Sequence, residues 1–273
     1  MTNSRIAGFY KMTLEERRLK LAESADLTPE DLIPFTSGLP VDIALHMVEN
    51  VIGTFDLPLG IGLNFMINGR DVLVPMVIEE PSVVAGASFM AKLARAGGGF
   101  LASSTEPHML GQLQVLQIDD LKKAAQAVLA HKAELIAYAD EAESSLKSRG
   151  GGARDIEVRV MNNSPISGFL IIHLIYDVRD AMGANAVNTA CERLAPRIES
   201  ITGGKVHLRI LSNLADRRIT RASCTIPLKE LAFSAQNGSE TREFTGEEVR
   251  DGIIAAYAFA AVDPYRAATH NKG

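Results

Sequence analysis

The alternation of apolar and polar positions divides this chain into helices and strands that interleave. Thr13, Leu14, Glu15 and Glu16 read as a capping box, with Leu14, Leu19 and Leu21 supplying helical spacing. Thr28, Pro29 and Glu30 open a second helix with proline at its first position. Ile43, Met47, Val48 and Val51 share one face of a helix expected over 41–52, stopped by Gly53. The period then changes to two. Apolar runs at 63–67 and 72–77 flank Asn68 and Gly69, a strong type I′ hairpin signal. A helix over 81–96 ends at the glycines of 97–99. Strands are expected at 112–118, 156–161, 170–176 and 206–211, and helices at 119–147, 180–200 and 247–262. Residues 233–245, with Asn237, Gly238 and Ser239, read as a surface loop or tight turn. Hairpin-joined strands beside strands separated by long helices indicate an α+β fold with more than one sheet, not one doubly wound parallel sheet.

Composition narrows the function classes. With 273 residues, 47% hydrophobic and 22% charged, the chain is globular and long enough for one large or two ordinary domains. A net charge of −5 without a basic run argues against nucleic acid and anionic membrane as partners. The absence of Trp leaves few surfaces for stacking bases. Cys191 and Cys224 form no CxxC and have no histidine at ligand spacing, so no metal site and a reducing compartment are expected. No apolar leader begins the chain, and the longest apolar stretches, near 169–176 and 253–262, fall short of a bilayer span. A soluble, cytoplasmic protein is the expectation.

Generic catalytic motifs are absent. Gly60, Ile61 and Gly62 lack the third glycine of a dinucleotide fingerprint, and there is no Walker lysine, no G-x-S-x-G and no H-E-x-x-H. His46, His131 and His173 sit in apolar or amphipathic patterns that suit packed or solvated side chains. From the residues alone, Glu80 caps a helix, Asp180 caps another, and Lys272 is a solvated tail residue.

Five segments together carry more. They are 49–54 (ENVIGT), 79–85 (EEPSVVA), 180–185 (DAMGAN), 211–216 (LSNLAD) and 265–273 (YRAATHNKG). In this order, and over nearly the whole chain, they resemble the soluble class II 3-hydroxy-3-methylglutaryl-CoA (HMG-CoA) reductases. The resemblance implies reduction of HMG-CoA to mevalonate and CoA with NAD(H) or NADP(H), or the reverse reaction. It implies a large helical and β substrate-binding domain interrupted by a smaller non-Rossmann nucleotide-binding α+β domain, placed at 107–216 between 1–106 and 217–273.

By the same resemblance Glu80 is the catalytic proton donor, its pKa raised by Glu79 and by burial. Lys272 is the ammonium that stabilises the oxyanion. Ser82, Arg266 and Asn271 contact substrate. Asp180, Met182, Gly183, Asn185 and Asn213 contact the cofactor, with small residues that let a diphosphate approach a helix N-terminus. Glu143 meets the adenosine ribose and favours NADH over NADPH. Homo-oligomers built on dimers, with 49–54 near the interface, are also implied. In the family, an aspartate and a histidine of the catalytic set follow the position of Gly273, so the 273-residue chain alone is expected to be inactive or nearly so. The second reading is a non-catalytic nucleotide- or acyl-CoA-binding or assembly module of the same fold.

Overall fold

The computed structural model describes residues 3–141, 144–238 and 240–270. In chain order the elements are α1 (Leu14–Ala25), α2 (Pro29–Leu32), α3 (Pro34–Ser37), α4 (Val41–Ala44), β1 (Leu59–Ile67), β2 (Arg70–Val77), α5 (Val83–Ala96), β3 (Phe100–Ser104) and β4 (His108–Leu116). They continue with α6 (Leu121–Ala130), α7 (Lys132–Asp140), α8 (Ser144–Ser148), β5 (Gly152–Met161), β6 (Phe169–Asp177), α9 (Ala184–Thr202), β7 (Lys205–Ser212) and β8 (Thr220–Cys224). The last are α10 (Leu228–Leu231), β9 (Phe233–Asn237), β10 (Glu240–Phe244), α11 (Gly246–Val262) and α12 (Pro264–His270). Two compact units result: Met1–Ala102 with Ala222–Gly273, and Ser103–Arg221.

The first unit is organised on the β1–β2 hairpin. Asn68 and Gly69 both take positive φ, 50° and 76°, as a type I′ turn requires. Residues 63–64 form a bulge in β1, with Asn64 at φ 66°. Into it the N-terminal segment is fastened by a polar knot. The Ser4 hydroxyl donates to the Phe65 carbonyl (2.8 Å), and Asn64 N–H donates to the Ser4 carbonyl (2.8 Å). Arg95 of α5 then donates to Ser4 Oγ (2.8 Å), Asp71 Oδ1 (2.5 Å) and the Asn64 carbonyl (3.2 Å). Ser4 is fully buried. Capping boxes at Thr13, Thr28 and Thr245 start α1, α2 and α11. α11 opens on charged residues and is apolar from Gly252 to Val262, yet among its residues only Gly246 is buried.

The second unit holds most of the buried core. Its sheet has the order β5–β6–β4–β7, and every pairing is antiparallel. α6, α7 and α9 cover one face, where Leu113, Leu170, Ile172, Leu174 and Tyr176 pack against Val128, Leu135, Val187, Leu194 and Ile198. α9 lies close on β4 because Gly111 has no side chain: a Cβ there would stand 2.4 Å from Cys191 Sγ. An antiparallel sheet with helices on one face is not a Rossmann fold, which explains the missing glycine fingerprint. The fold is mixed α+β, as the spacing indicates.

Several expectations need correction, among them the helix over 180–200, which begins at Ala184. The helix over 41–52 is helical only at Val41–Ala44; beyond it His46 and Met47 N–H groups bond three residues back, and Asn50 at φ 58° ends the turn. The helix expected from Pro81 begins at Val83, because Ser82 sits in the left-handed region at φ 74°. The helical run over 119–147 is interrupted at His131, whose φ and ψ of −96° and 10° leave the helical region. Within the loop or turn expected over 233–245, β9 pairs antiparallel with β10.

Candidate functional site

Glu80 and Ser82 occupy the turn between β2 and α5, and both line a cavity of about 1130 Å³ in the first unit. The N-terminal segment 5–10, next to the Ser4 knot on β1, also lines it. Arg17 reinforces that segment from α1, donating from Nε to the Phe9 carbonyl (3.2 Å) and from Nη2 to that of Tyr10 (3.0 Å). Arg5, Arg17 and Lys92 add cationic side chains to the lining, while Arg95 is engaged by Asp71. The cavity is therefore suited to an anionic ligand. Ser82 is a non-glycine residue in left-handed backbone, and its hydroxyl makes no capping bond to α5. Such strain, of about 1–3 kcal/mol, clusters at functional positions. Glu80 is exposed at the cavity, so the expectation of a buried carboxyl is not met. It stands in the turn before the helix rather than on a packed face.

In the second unit, β6 ends at Asp177 and α9 begins at Ala184, leaving 178–183 as a loop at one end of the sheet. Asp177 is 1% exposed in its side chain and organises this loop. Its carboxylate accepts from Arg179 N–H (3.0 Å), from the Arg179 guanidinium, and from Arg154 Nη2 (3.1 Å). Burial works against the charged carboxylate, but those donors outweigh it and hold the pKa below the usual value. Gly183 takes φ 92° and caps α9 without a side-chain bond. The first amides of this 19-residue helix are thus unoccupied by a capping side chain, beside the small residues Ala181, Gly183 and Ala184. Asp180, Met182 and Asn185 are exposed around them. These features fit a diphosphate.

The face of the same sheet opposite α6, α7 and α9 carries a polar row. Gln112 and His173 pair across the strands, and the Gln112 amide donates to His173 Nε2 (2.9 Å), so that imidazole nitrogen is an acceptor. Burial, then the nearby Arg159, push the His173 pKa down and keep the ring neutral. Arg217 grips Glu157 with two bonds (2.9 and 2.7 Å). Among the described residues no cluster of His, Cys, Asp or Glu could hold a metal ion, and no helix is long and apolar enough to cross a membrane.

A family model described as hydroxymethylglutaryl-coenzyme A reductase matches residues 13–273. The chain belongs to this family. It is 52% identical over 272 residues to the 3-hydroxy-3-methylglutaryl-coenzyme A reductase of Archaeoglobus fulgidus, covering 99% of this chain and 59% of that protein. The probable reductase of Borreliella burgdorferi is 28% identical over 97% of this chain and 58% of its own length. The chain therefore spans a little under three fifths of the length of these two relatives. Among solved structures, a reductase of Streptococcus pneumoniae superposes with a TM-score of 0.85 at 37% identity, over 97% of this chain and 70% of that one. A class II reductase of the same organism, described as bound to NADPH in open conformations, matches equally well at 38% identity.

The reductase-family motifs distribute over both units. Glu80 and Ser82 meet at the cavity of the first unit. Arg266 lies on α12, where its amide bonds Asp263, and is not among the cavity-lining side chains. Asp180, Met182, Gly183 and Asn185 share the loop of the second unit, and Asn213 is exposed just beyond β7. Glu143, Asn271 and Lys272 lie outside the described residues. Sequence reading passed over Arg5, Arg17 and Lys92, which are scattered basic residues until the fold gathers them. It also passed over Asp177, three residues before the motif it supports.

Proposed function

We propose that this chain carries the substrate cavity and the nucleotide loop of an HMG-CoA reductase. The unit formed by Met1–Ala102 and Ala222–Gly273 takes the acyl-CoA, and Ser103–Arg221 takes the dinucleotide. The balanced reaction converts HMG-CoA, two NAD(P)H and two protons to mevalonate, CoA and two NAD(P)+. The dinucleotide, when bound, supplies one hydride at each of the two reductions. The start of α9 receives its diphosphate through unoccupied amides and the positive end of the helix dipole. Arg5, Arg17 and Lys92 attract the phosphates of CoA into the first cavity. Glu80 supplies a proton there, and the Ser82 hydroxyl contacts the hydroxymethylglutaryl group. Lys272 neutralises the developing oxyanion, with Asn271 and Arg266 on the substrate, roles that rest on the sequence motif. Self-association through 49–54 belongs to the same reading.

The observation that carries this reading is the opening of Glu80 and Ser82 onto one cationic cavity in a chain of this family. Titration of the folded 273-residue chain with HMG-CoA, NADH and NADPH tests it. Saturable binding of the thioester and of a dinucleotide is expected, with CoA displacing only the thioester. The ratio of the two dinucleotide affinities reads the role given to Glu143. A folded chain that binds neither ligand class would overturn the proposal.

A further inference from the structure

We infer that Arg218 is a positioning residue for the nucleotide site, clasping the loop ahead of α9 to the segment that bears Asn213. The inference rests on the dinucleotide reading of that loop and assigns a residue outside the five motifs. Arg218 Nη1 donates to the Ala181 carbonyl (2.7 Å) and Nη2 to the Arg179 carbonyl (3.3 Å). Two carbonyls two residues apart are thus held by one planar fork, a geometry that a lysine cannot reproduce.

The loop depends on this support. Gly183 at φ 92° stops α9 from extending backwards, so 179–182 receive no bonds from a helical ladder. Among the described residues, their other ties are Arg179 N–H and the Arg179 guanidinium to Asp177, and Ala181 N–H to the Val178 carbonyl (3.1 Å). The bonds to Asp177 anchor the near side of the loop to the end of β6, and the third closes a turn within the loop. Among the described residues, Arg218 ties 179–182 to a different part of the unit.

The far side of the clasp is itself fixed. Arg218 N–H bonds the Ala215 carbonyl (3.1 Å), and Ala215 N–H bonds that of Asn213 (3.1 Å). Asn213 and Arg218 therefore belong to one folded turn. That turn is secured where Thr105 Oγ1 donates to the Arg217 carbonyl (2.7 Å) and accepts from Ile219 N–H (2.9 Å). The Arg217 side chain adds its double bond to Glu157 on β5. A guanidinium mounted on this base sets the separation between Met182 and Gly183 on one side and Asn213 on the other. A dinucleotide that contacts both sides meets a preorganised site and does not have to order the loop itself.

The test compares the folded wild-type chain with Arg218→Ala and Arg218→Lys. Arg197→Ala, which removes a cation paired with Glu134 on the helical layer, controls for net charge. Three quantities are read: affinity for NADH and NADPH, affinity for HMG-CoA, and hydrogen exchange of the 180–183 amides. Loss of hydrogen bonds to a charged donor predicts dinucleotide binding weaker by about tenfold or more in Arg218→Ala. Exchange in the loop accelerates, and HMG-CoA affinity and melting temperature stay at wild-type values. Arg218→Lys keeps the charge and falls between the two, and Arg197→Ala binds as wild type. Dinucleotide affinity in Arg218→Ala within twofold of wild type, or unchanged exchange at 180–183, would overturn the inference. A wild-type chain without dinucleotide affinity overturns the reading of the loop, while exchange still decides the clasp. If Arg218→Ala fails to fold, Arg218→Lys decides by the same exchange measurement.

Discussion

Arg95→Ala is expected to destabilise the first unit by about 2–4 kcal/mol in urea denaturation, the scale of breaking a largely buried ion pair. The side chains of Arg95 and Asp71 retain 19% and 22% exposure, which places the loss below that of a fully dry pair. What the alanine removes is a junction of α5, β1, β2 and the N-terminal segment, because one guanidinium serves Asp71, Ser4 and the bulge at Asn64. Ser4, with no exposure, then loses a donor that water does not readily replace. The effect has a pH signature. The Arg95 hydrogen bond, helped by Ser4, holds the Asp71 pKa below the carboxylate range against a smaller opposing effect of burial. A depressed carboxyl contributes stability above its unfolded value, near 3.9, and that contribution disappears as pH falls through the folded value. The difference between wild type and Arg95→Ala is therefore full at neutral pH and shrinks below about pH 4. A difference that stays constant into acid would assign the loss to packing alone.

Gly183→Ala is expected to be as damaging in the second unit. The backbone there has φ 92°, which an L side chain rarely adopts, and the added Cβ would lie 2.3 Å from Val178 Cγ1. Val178 is fully buried and cannot retreat. Strain of about 1–3 kcal/mol and overpacking of similar size combine, so a loss of about 2–4 kcal/mol is expected, relieved in part by movement of the loop. Movement carries its own consequence, because the same residues present the amides of α9. Denaturation and dinucleotide titration should both register the change, whereas HMG-CoA binding should not. A variant with wild-type melting and dinucleotide affinity would show that the loop is freer than its packing indicates.

Legibility in the sequence tracked the reach of the interaction. Capping boxes span four residues, and the Asn68–Gly69 turn spans two, so composition at those positions is nearly sufficient to specify them. Failures were non-local. Nothing near Ser4 announces that it will bond residues more than sixty positions away, at Phe65, Asp71 and Arg95. The apolar spacing over 41–52 has helical period, yet most of those side chains are exposed in this chain and the helix lasts one turn. Short strands such as β3 and β8, five residues each, carry too little pattern to be seen. The candidate site divides in the same way. The small residues of 180–185 mark a close-approach loop locally, but Arg217 and Arg218 are adjacent and chemically identical. Only the twist of their turn sends one to Glu157 and the other to the Ala181 carbonyl.

The close seat of α9 on β4 turns the two cysteines into a matched pair of reporters. Cys224 is exposed and meets a thiol reagent at once, measuring the reagent itself. Cys191 is sealed beneath α9 against Gly111, and burial pushes its thiol up to about 12, so almost no thiolate exists at neutral pH. It can be alkylated only in the moments when the helix parts from the sheet. Its labelling rate is thus a clock for the opening of the second unit, and a ligand seated at the start of α9 would slow that clock in proportion to its occupancy.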